Sequence, residues 1–290
     1  MMMKIIDMHS HWGTRRGYVL QSEAELRQQR ATWHSDPKYQ SEDEMAQYFR
    51  ANNVRVILDL GFAKFRPLEE MRSLHDYSFA TERAHRDVIL GHWFHVDPRT
   101  GADGVKELRR CIDNRVGFVG YALSASKSPP GSDQSYDPFY KLCIEAKIPV
   151  LFFVGTTGLG AGLPGGDGVI LDNCHPRHLD WVAARYPQLQ LIAARPGWPW
   201  QTETIAVLMH KRNIWYELHG WSPKYHSADL KHDIPRRLKD RVMFGGDYPL
   251  FGYERLVKDW VAEGYAPDML ENIFHRNAEA FAQTMGLAWT

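Results

Sequence analysis

The sequence alternates short apolar runs with longer amphipathic stretches over nearly all of its 290 residues. Short apolar runs bounded by turn residues are typical of buried strands. Eight runs are candidate strands: Ile5–Met8, Val54–Leu60, Val88–Phe94, Gly117–Ala122, Pro149–Val154, Leu191–Ala194, Ile214–Leu218 and Val242–Gly245. Eight strands that alternate with helices predict a distorted (β/α)8 TIM barrel of the α/β class, formed as a single domain over residues 1–290.

The stretches between the runs have the spacing of helices. The candidate helices are Ser41–Asn52, Ser73–His85, Gly104–Asp113, Phe139–Ala146, Arg177–Tyr186, Gln201–His210, Tyr225–Leu238 and Pro267–Met285. A doubly wound open sheet is the alternative, but no glycine-rich phosphate loop opens any of these helices. The glycine-rich stretch 155–168 instead predicts a long loop after the fifth strand, and its glycine content favours mobility without deciding whether the loop closes as a lid.

Charge and cysteine content exclude several functional classes. The 35 basic and 35 acidic residues balance, which argues against a nucleic-acid or anionic-membrane partner and favours self-association, here expected as a homodimer. Three widely spaced cysteines indicate a reduced, cytoplasmic setting. No apolar run approaches 18 residues, so we expect neither a signal peptide nor a membrane span.

Two histidines follow the first apolar run. His9 and His11 are two residues apart, so both side chains project from the same face of a strand. Two converging imidazoles form half of a divalent metal site. Asp247 follows the last candidate strand, which neighbours the first when a barrel closes, and its carboxylate could bind the metal or take a proton. The alternative is that Asp247 caps the following helix.

Other polar residues at strand ends are candidates of lower weight. Glu217 and His219 end the seventh run, where His219 could supply an acid or base or could be a hydrogen-bonded core residue. Tyr121 and Ser124, after the fourth run, could donate hydrogen bonds to a substrate. We expect Asp59, near the end of the second run, to be structural; His92 and His95 end the third, and the following Asp-Pro pair predicts a turn.

The chain resembles the amidohydrolase superfamily. The resemblance is to the branch that contains aminocarboxymuconate-semialdehyde decarboxylase, the resorcylate-type decarboxylases and related hydrolases and hydratases. The motifs that carry it are Ile6-Asp7-Met8-His9-Ser10-His11, Val242-Met243-Phe244-Gly245-Gly246-Asp247-Tyr248-Pro249, Ile273-Phe274-His275-Arg276-Asn277-Ala278, Val96-Asp97-Pro98 and Tyr186-Pro187-Gln188-Leu189-Gln190-Leu191-Ile192. The resemblance implies one divalent ion, zinc or manganese, on His9, His11 and Asp247.

Two residues depart from the pattern of that family. Phe153 stands where the family has a metal-binding histidine after the fifth strand, and Arg195 stands where it has a catalytic histidine after the sixth. Phenylalanine cannot bind a metal, and arginine stays protonated near neutral pH. His175 could supply the missing imidazole, or could be a surface histidine near a helix N-terminus. Alternatively, the site works without a metal or has kept only binding.

The resemblance and the replaced residues together give a functional hypothesis. Arg195, followed by Trp198, suits bidentate capture of a carboxylate on an aromatic or unsaturated acid, although it could instead be structural. The leading hypothesis is metal-assisted, non-oxidative decarboxylation of a small carboxylic acid, with Asp247 or His219 handling the proton. The alternatives are hydrolysis of a lactone, ester or amide, with or without a metal, and a degenerate barrel that only binds a ligand.

Overall fold

The predicted barrel is present. A computed structural model describes residues 3–34, 36, 38–61, 66–123 and 127–289. Its eight strands are β1 Ile5–Ser10, β2 Val54–Asp59, β3 Ile89–Phe94, β4 Phe118–Ala122, β5 Val150–Phe153, β6 Leu191–Ala194, β7 Ile214–Glu217 and β8 Val242–Met243. They form one sheet in sequence order with every adjacent pair parallel, which confirms the fold class and each candidate strand to within a few residues.

Helices surround the sheet and connect consecutive strands. They are α1 Glu23–Trp33, α2 Glu42–Ala51, α3 Leu68–Ala84, α4 Gly101–Asp113, α5 Asp137–Ala146, α6 Pro176–Arg185, α7 Gln201–His210, α8 Ala228–Asp233, α9 Tyr253–Ala262, α10 Pro267–Glu271 and α11 Asn277–Thr284. Two of them, α1 and α9, were not among the candidate helices. A signal for α1 exists in the capping box formed by Ser22 and Glu25.

Two candidate helices differ from the structure. The stretch Tyr225–Leu238 contains only the short α8. The terminal stretch Pro267–Met285 is divided into α10, a π-helical turn over Asn272–Arg276, and α11. At that turn the Phe244 N–H donates to the Ile273 carbonyl at 2.9 Å, so the irregular segment pairs with the chain beyond β8.

The core has two layers that follow the alternation of side chains along each strand. The larger layer lies between the sheet and the helices, and the smaller layer fills the barrel interior. Trp93 and Phe118 belong to the interior layer, whose lower end is closed by Phe281 of α11 and by Trp289. No described helix is long and apolar enough to cross a membrane.

β1 closes the barrel against the segment after β8. Met8 N–H donates to the Phe244 carbonyl at 3.0 Å, Asp247 N–H donates to the His9 carbonyl at 2.9 Å, and His11 N–H donates to Tyr248. Because β8 itself is only two residues long, these later bonds complete the closure. Closure therefore brings the two histidines of β1 beside Asp247.

The buried carboxyl group of Asp7 joins the two sides of this seam. Its Oδ1 accepts the backbone N–H groups of His9 and Gly246, each at 2.9 Å. Its Oδ2 lies 2.5 Å from Ser10 Oγ and 2.6 Å from Tyr253 Oη. Burial raises the pKa of Asp7 to about 6, although all four hydrogen bonds oppose that shift. The folded state binds this proton more tightly than the unfolded chain does. The free energy of unfolding therefore falls as the pH rises from 3.8, the ordinary pKa of the group, to about 6.

We expect Asp7→Ala to destabilise the fold by about 3 kcal/mol or more, because it leaves two buried N–H groups without acceptors. Asp7→Asn should cost much less. Its amide oxygen can still accept both N–H groups, and its amide nitrogen can donate to the two hydroxyls. Urea unfolding near neutral pH measures both variants. Equal losses for Ala and Asn would contradict the role given to these hydrogen bonds.

Candidate active site

The polar residues at the C-terminal ends of the strands converge on one centre. His9 is the penultimate residue of β1 with His11 just beyond the strand, Asp59 ends β2, and Glu217 ends β7 with His219 just beyond it. Five of the residues selected from the sequence are brought together here: His9, His11, Arg195, His219 and Asp247. In a barrel this face carries the reacting groups, so the centre is the candidate active site.

His11 and Asp247 form an ion pair that faces a cavity. His11 Nε2 lies 3.2 Å from Asp247 Oδ1. Burial by itself would lower the pKa of His11, but the hydrogen bond to Asp247 and its charge outweigh burial and raise that pKa. Burial would likewise raise the pKa of Asp247, and His11 reverses that shift, so the pKa of Asp247 is lowered. The pair therefore holds one proton between an imidazolium and a carboxylate.

His9 lies deeper and is neutral. Its ring stacks on that of His219 at 3.7 Å between centroids, with 5° between the planes. Burial, followed by the nearby His219, holds the pKa of His9 well below 6.5. Neither ring nitrogen of His9 has a hydrogen-bond partner within the described part of the chain. A buried polar group without a partner needs an explanation, and an ion or water is the usual one.

Asp59, which was expected to be structural, lies buried directly beneath the histidines of the site. Its carboxylate lies 3.0 Å from His95 Nε2, 3.8 Å from His9 Nδ1 and 3.6 Å from His11 Nδ1. Burial would raise the pKa of Asp59, but the surrounding histidines, His95 first, lower it well below its usual range. An ionised carboxylate thus lies beneath the histidines of β1.

Arg195 is held by a chain of buried polar groups. Its Nε donates to His219 Nε2 at 3.2 Å, and its Nη1 donates to the Thr156 carbonyl at 3.1 Å. Because Nε2 accepts from Arg195, the proton of the neutral His219 ring lies on Nδ1, which donates to Glu217 Oε2 at 2.6 Å. Burial, then the charge of Arg195, lowers the pKa of His219. His219 therefore has no proton to give at the atom that faces Arg195.

Two consecutive glycines make room for the carboxyl groups below the site. A Cβ atom at Gly245 would collide with Glu217 Oε1, and one at Gly246 would lie 2.5 Å from Asp7 Oδ2. The glycine pair before Asp247 is therefore required by the close approach of two buried acids.

A cavity of about 510 Å³ opens above these residues. Its inner end carries His11, Arg195 and Asp247, beside the ring of Phe153. Its walls are mostly apolar and come from several loops: Leu159, Trp221, Tyr225, Leu250 and Phe251. Arg255 also lines the cavity, and its side chain is 57% exposed, so it marks the solvent side. The volume and lining suit a small organic molecule with an anionic group.

Tyr121 and Trp198, two of the predicted site residues, lie elsewhere. Tyr121 is fully buried; its hydroxyl donates to the Val96 carbonyl at 2.9 Å and its ring stacks on Phe139, so the prediction of a substrate contact is wrong. Trp198 is half-exposed and is not among the described residues that line the cavity. Ser124 lies outside the described residues.

His175 does not join the other histidines. It is the N-cap of α6, where its Nδ1 accepts the Arg177 N–H at 3.1 Å. Its Nε2 lies 3.3 Å from Glu203. Both ring nitrogens are thus used at the start of a helix, and no potential metal-binding group among the described residues includes His175. The alternative of a surface histidine near a helix N-terminus describes it better.

Several residues around the site are weakly indicated by the sequence or are not indicated by it. Asp59 and His95 have the same signal that selected Asp247, a polar side chain where an apolar strand ends. Trp221 and Arg255 carry no local signal, because their loop and helix are placed over the cavity only by the path of the chain.

The donor atoms fit a divalent ion. Two groups, His9–His219–Asp247 and His9–His11–Asp59, each keep their ligand atoms within 4.8 Å of one another. His9 is neutral with unpaired nitrogens, and Asp247 is ionised, as ligands must be. His219 Nε2 is already bonded to Arg195 and His11 Nε2 to Asp247, so His9, which both groups share, is the ligand whose nitrogens have no hydrogen-bond partner among the described residues. Phe153 adds no donor, and its ring centre is 5.7 Å from that of His9.

We expect Phe153→His to raise the affinity for manganese or zinc by at least about tenfold, the lower end of the effect that single residues have around metal sites. The new imidazole would face His9 across the barrel. Phe153→Leu is the matched control, since it removes the ring without adding a donor. Metal content after dialysis, by plasma mass spectrometry, gives the readout. Equal metal content in both folded variants would argue against a metal centre here.

The sequence of the chain is similar to those of known proteins. A family model described as Amidohydrolase matches residues 6–281. A 2-keto-4-carboxy-3-hexenedioate hydratase from a Sphingobium species is 28% identical over 184 residues, which cover 53% of this chain and 52% of that protein. The chain thus spans about half the length of the curated relative that it matches.

Solved structures share the fold over almost the whole chain. A 5-carboxyvanillate decarboxylase from Novosphingobium aromaticivorans, complexed with manganese and 4-hydroxy-3-methoxy-5-nitrobenzoic acid, has a TM-score of 0.69 at 16% identity, covering 97% of this chain and 96% of that chain. A probable 2-pyrone-4,6-dicarboxylic acid hydrolase from Acinetobacter baumannii, with citric acid bound, has a TM-score of 0.62 at 13% identity, covering 98% and 100%. Identities this low show a common fold and nothing finer.

Proposed function

Because the chain belongs to the amidohydrolase family, we propose that it is an enzyme that decarboxylates a small aromatic or unsaturated carboxylic acid without oxidation. One observation carries the proposal. The guanidinium group of Arg195 lines the inner end of a largely apolar cavity, together with the proton-sharing pair of His11 and Asp247. The cavity thus offers a carboxylate-binding group and a proton at one place.

Arg195 is the proposed carboxylate-binding residue. Two of its three nitrogens are used, and Nη2 has no hydrogen-bond partner among the described residues. Its guanidinium lies 5.1 Å from the centre of the Phe153 ring, which orients the planar group. In surroundings of low polarity, a charged hydrogen bond from Nη2 to a carboxylate is stronger than it is in water.

The walls of the cavity favour a flat or conjugated substrate. Phe153, Trp221, Tyr225 and Phe251 present aromatic rings around a space of about 510 Å³. Such rings bind another ring or a conjugated chain through offset or edge-to-face contacts. Apolar walls also limit the access of water to the substrate carbon that must take up the proton.

The proton is assigned to His11 and Asp247. In decarboxylation the bond to the carboxyl carbon breaks, its electron pair stays on the substrate carbon, and that carbon then binds a proton. The proton that His11 Nε2 shares with Asp247 Oδ1 lies at the cavity surface. We therefore propose His219 as a positioning residue for Arg195, in place of the proton-handling role considered from the sequence.

A divalent ion held by His9, His11 and Asp247 would polarise the oxygen atoms of the substrate and withdraw electrons from it. The ion would be held by the deprotonated ring of His11, and Asp247 would then be the residue of the pair that holds the proton for the substrate carbon. Manganese is the first ion to test, because a decarboxylase with the same fold was crystallised with it. Zinc is the second.

Hydration or hydrolysis is the second candidate function. The Sphingobium relative is a hydratase, and one protein with the same fold is a probable hydrolase. The ionised Asp247 faces the cavity and could remove a proton from a bound water molecule. The products separate the candidates, because only decarboxylation releases carbon dioxide.

The cellular setting and the oligomeric state are also proposed. All three cysteines are buried and form no disulfide within the described part of the chain, which supports a reduced, cytoplasmic setting. The balance of 35 basic and 35 acidic residues gives little electrostatic repulsion between copies, which supports association into a homodimer. The proposed partner at the active site is a small carboxylic acid.

A substrate screen with Arg195 variants tests the activity. Aromatic and unsaturated acids are incubated with the enzyme and manganese while carbon dioxide is measured. For the active substrate we expect Arg195→Gln to raise KM about 10–100-fold, as the loss of a charged hydrogen bond predicts, and Arg195→Lys to retain part of the binding. Arg27→Gln, an exposed arginine of α1, is the control and should leave KM unchanged. Water addition without gas release would favour the hydratase candidate.

The titration of His11 tests the proton assignment without an activity assay. In metal-free wild-type protein, NMR should show His11 titrating above 6.5 because of Asp247. In Asp247→Asn the charge of the partner is lost while burial still opposes the imidazolium, so we expect the pKa of His11 to fall. A His11 titration that is the same in both proteins would contradict the shared proton.

A further inference from the structure

A second cavity lies at the opposite end of the barrel from the active site. It has a volume of about 410 Å³ and is formed where β2, β3, β4 and β5 begin. The chain after α11, residues 285–289, forms one wall. The interior layer of side chains, including Trp93 and Leu151, lies between the two cavities. We call this second space the basal cavity.

The lining of the basal cavity is strongly basic. Its described lining contains four cationic side chains, Arg55, Arg86, Arg115 and Lys147, and no acidic one. Of these four side chains, only Arg86 has an ion pair within the described ranges: its Nη1 lies 2.6 Å from Glu82 Oε1. Since the whole chain has equal numbers of basic and acidic residues, this excess of positive charge is local.

The cations are close enough to affect one another. Burial, followed by the charge of Arg86, lowers the pKa of Arg55. Among the described residues Arg55 donates to the Trp289 carbonyl, at 3.3 Å, which does not neutralise it, and the charge of Glu279 acts on it from outside the lining. Arginines elsewhere in the fold are commonly paired, for example Arg50 with Asp87 and Arg185 with Asp137. Four cations with only Glu82 and Glu279 acting on them leave an excess of positive charge, which favours an anion in the cavity.

The remaining lining defines what kind of anion fits. Val116, Phe118, Leu287 and Trp289 add apolar surface beside the cations. The volume exceeds what an inorganic ion alone would fill. We propose that the basal cavity binds a small organic anion with at least two negative charges, carried by phosphoryl groups or by carboxylates. This site is independent of the proposed decarboxylase activity and would be present whatever the reaction is.

Calorimetric titration at low ionic strength tests the basal cavity, with pyrophosphate and tricarballylate as the two probes. The test variant is Arg115→Gln combined with Lys147→Asn. Both positions are exposed, and asparagine tolerates the left-handed conformation of Lys147, whose φ is 53°. The control removes the same charge from exposed positions elsewhere, with Arg27→Gln and Lys258→Gln. Arg195→Gln removes the cation of the active-site cavity.

We expect one probe molecule to bind per chain. Its affinity for the basal variant should be at least about tenfold lower, because two charges beside the anion are lost. Its affinity for the control and for Arg195→Gln should equal that for the wild-type protein. Tighter binding of pyrophosphate assigns a phosphorylated ligand, and tighter binding of tricarballylate assigns a polycarboxylate. Three results would overturn the proposal: no binding of either probe, equal weakening in the control, or loss of binding in Arg195→Gln alone.

Discussion

The arrangement of this protein depends on the hydrogen bonds that join its first strand to the chain after its last. Asp7 accepts backbone N–H groups from both sides of that seam, and its second oxygen bonds two hydroxyls. The carboxyl group is wholly buried, so these partners cannot be replaced by solvent. The same seam fixes the separation of His11 and Asp247, residues more than 200 positions apart in the chain. The hydrogen bonds that close the barrel therefore also bring the site residues together.

Backbone conformation at the site is consistent with this constraint. Arg195 and Asp247 both have left-handed backbones, with φ of 75° and 53°. Non-glycine residues are uncommon there, and such strain persists where surrounding contacts over-determine the conformation. Here the constraint is the backbone pairing of both segments: Asp247 N–H with the His9 carbonyl, and Arg195 N–H with the Glu217 carbonyl. Both side chains are consequently turned toward one cavity.

The two replaced residues change the character of the site together. Phe153 removes a donor and adds an aromatic surface, and Arg195 adds a permanent charge that lies over that surface at 5.1 Å. The cation also fixes the proton of His219 on Nδ1, because His219 Nε2 must accept from Arg195. The inner end of the cavity thereby has both a fixed positive group and a shared proton, with the neutral His9 beneath them.

The sequence by itself determined the eight strands and the barrel class, because apolar run length is a local property. Its motifs resembled the amidohydrolase family, which the family model shows. It also indicated His9, His11 and Asp247, since barrel geometry places strand ends on one face. Only the tertiary structure decided which groups pair: Asp59 with His95, and Arg195 with His219. It also placed Tyr121 in the core and His175 at the N-cap of α6, away from the site. The physical reason is that hydrogen bonding, burial and charge depend on neighbours brought by barrel closure and loop paths, which no local pattern encodes.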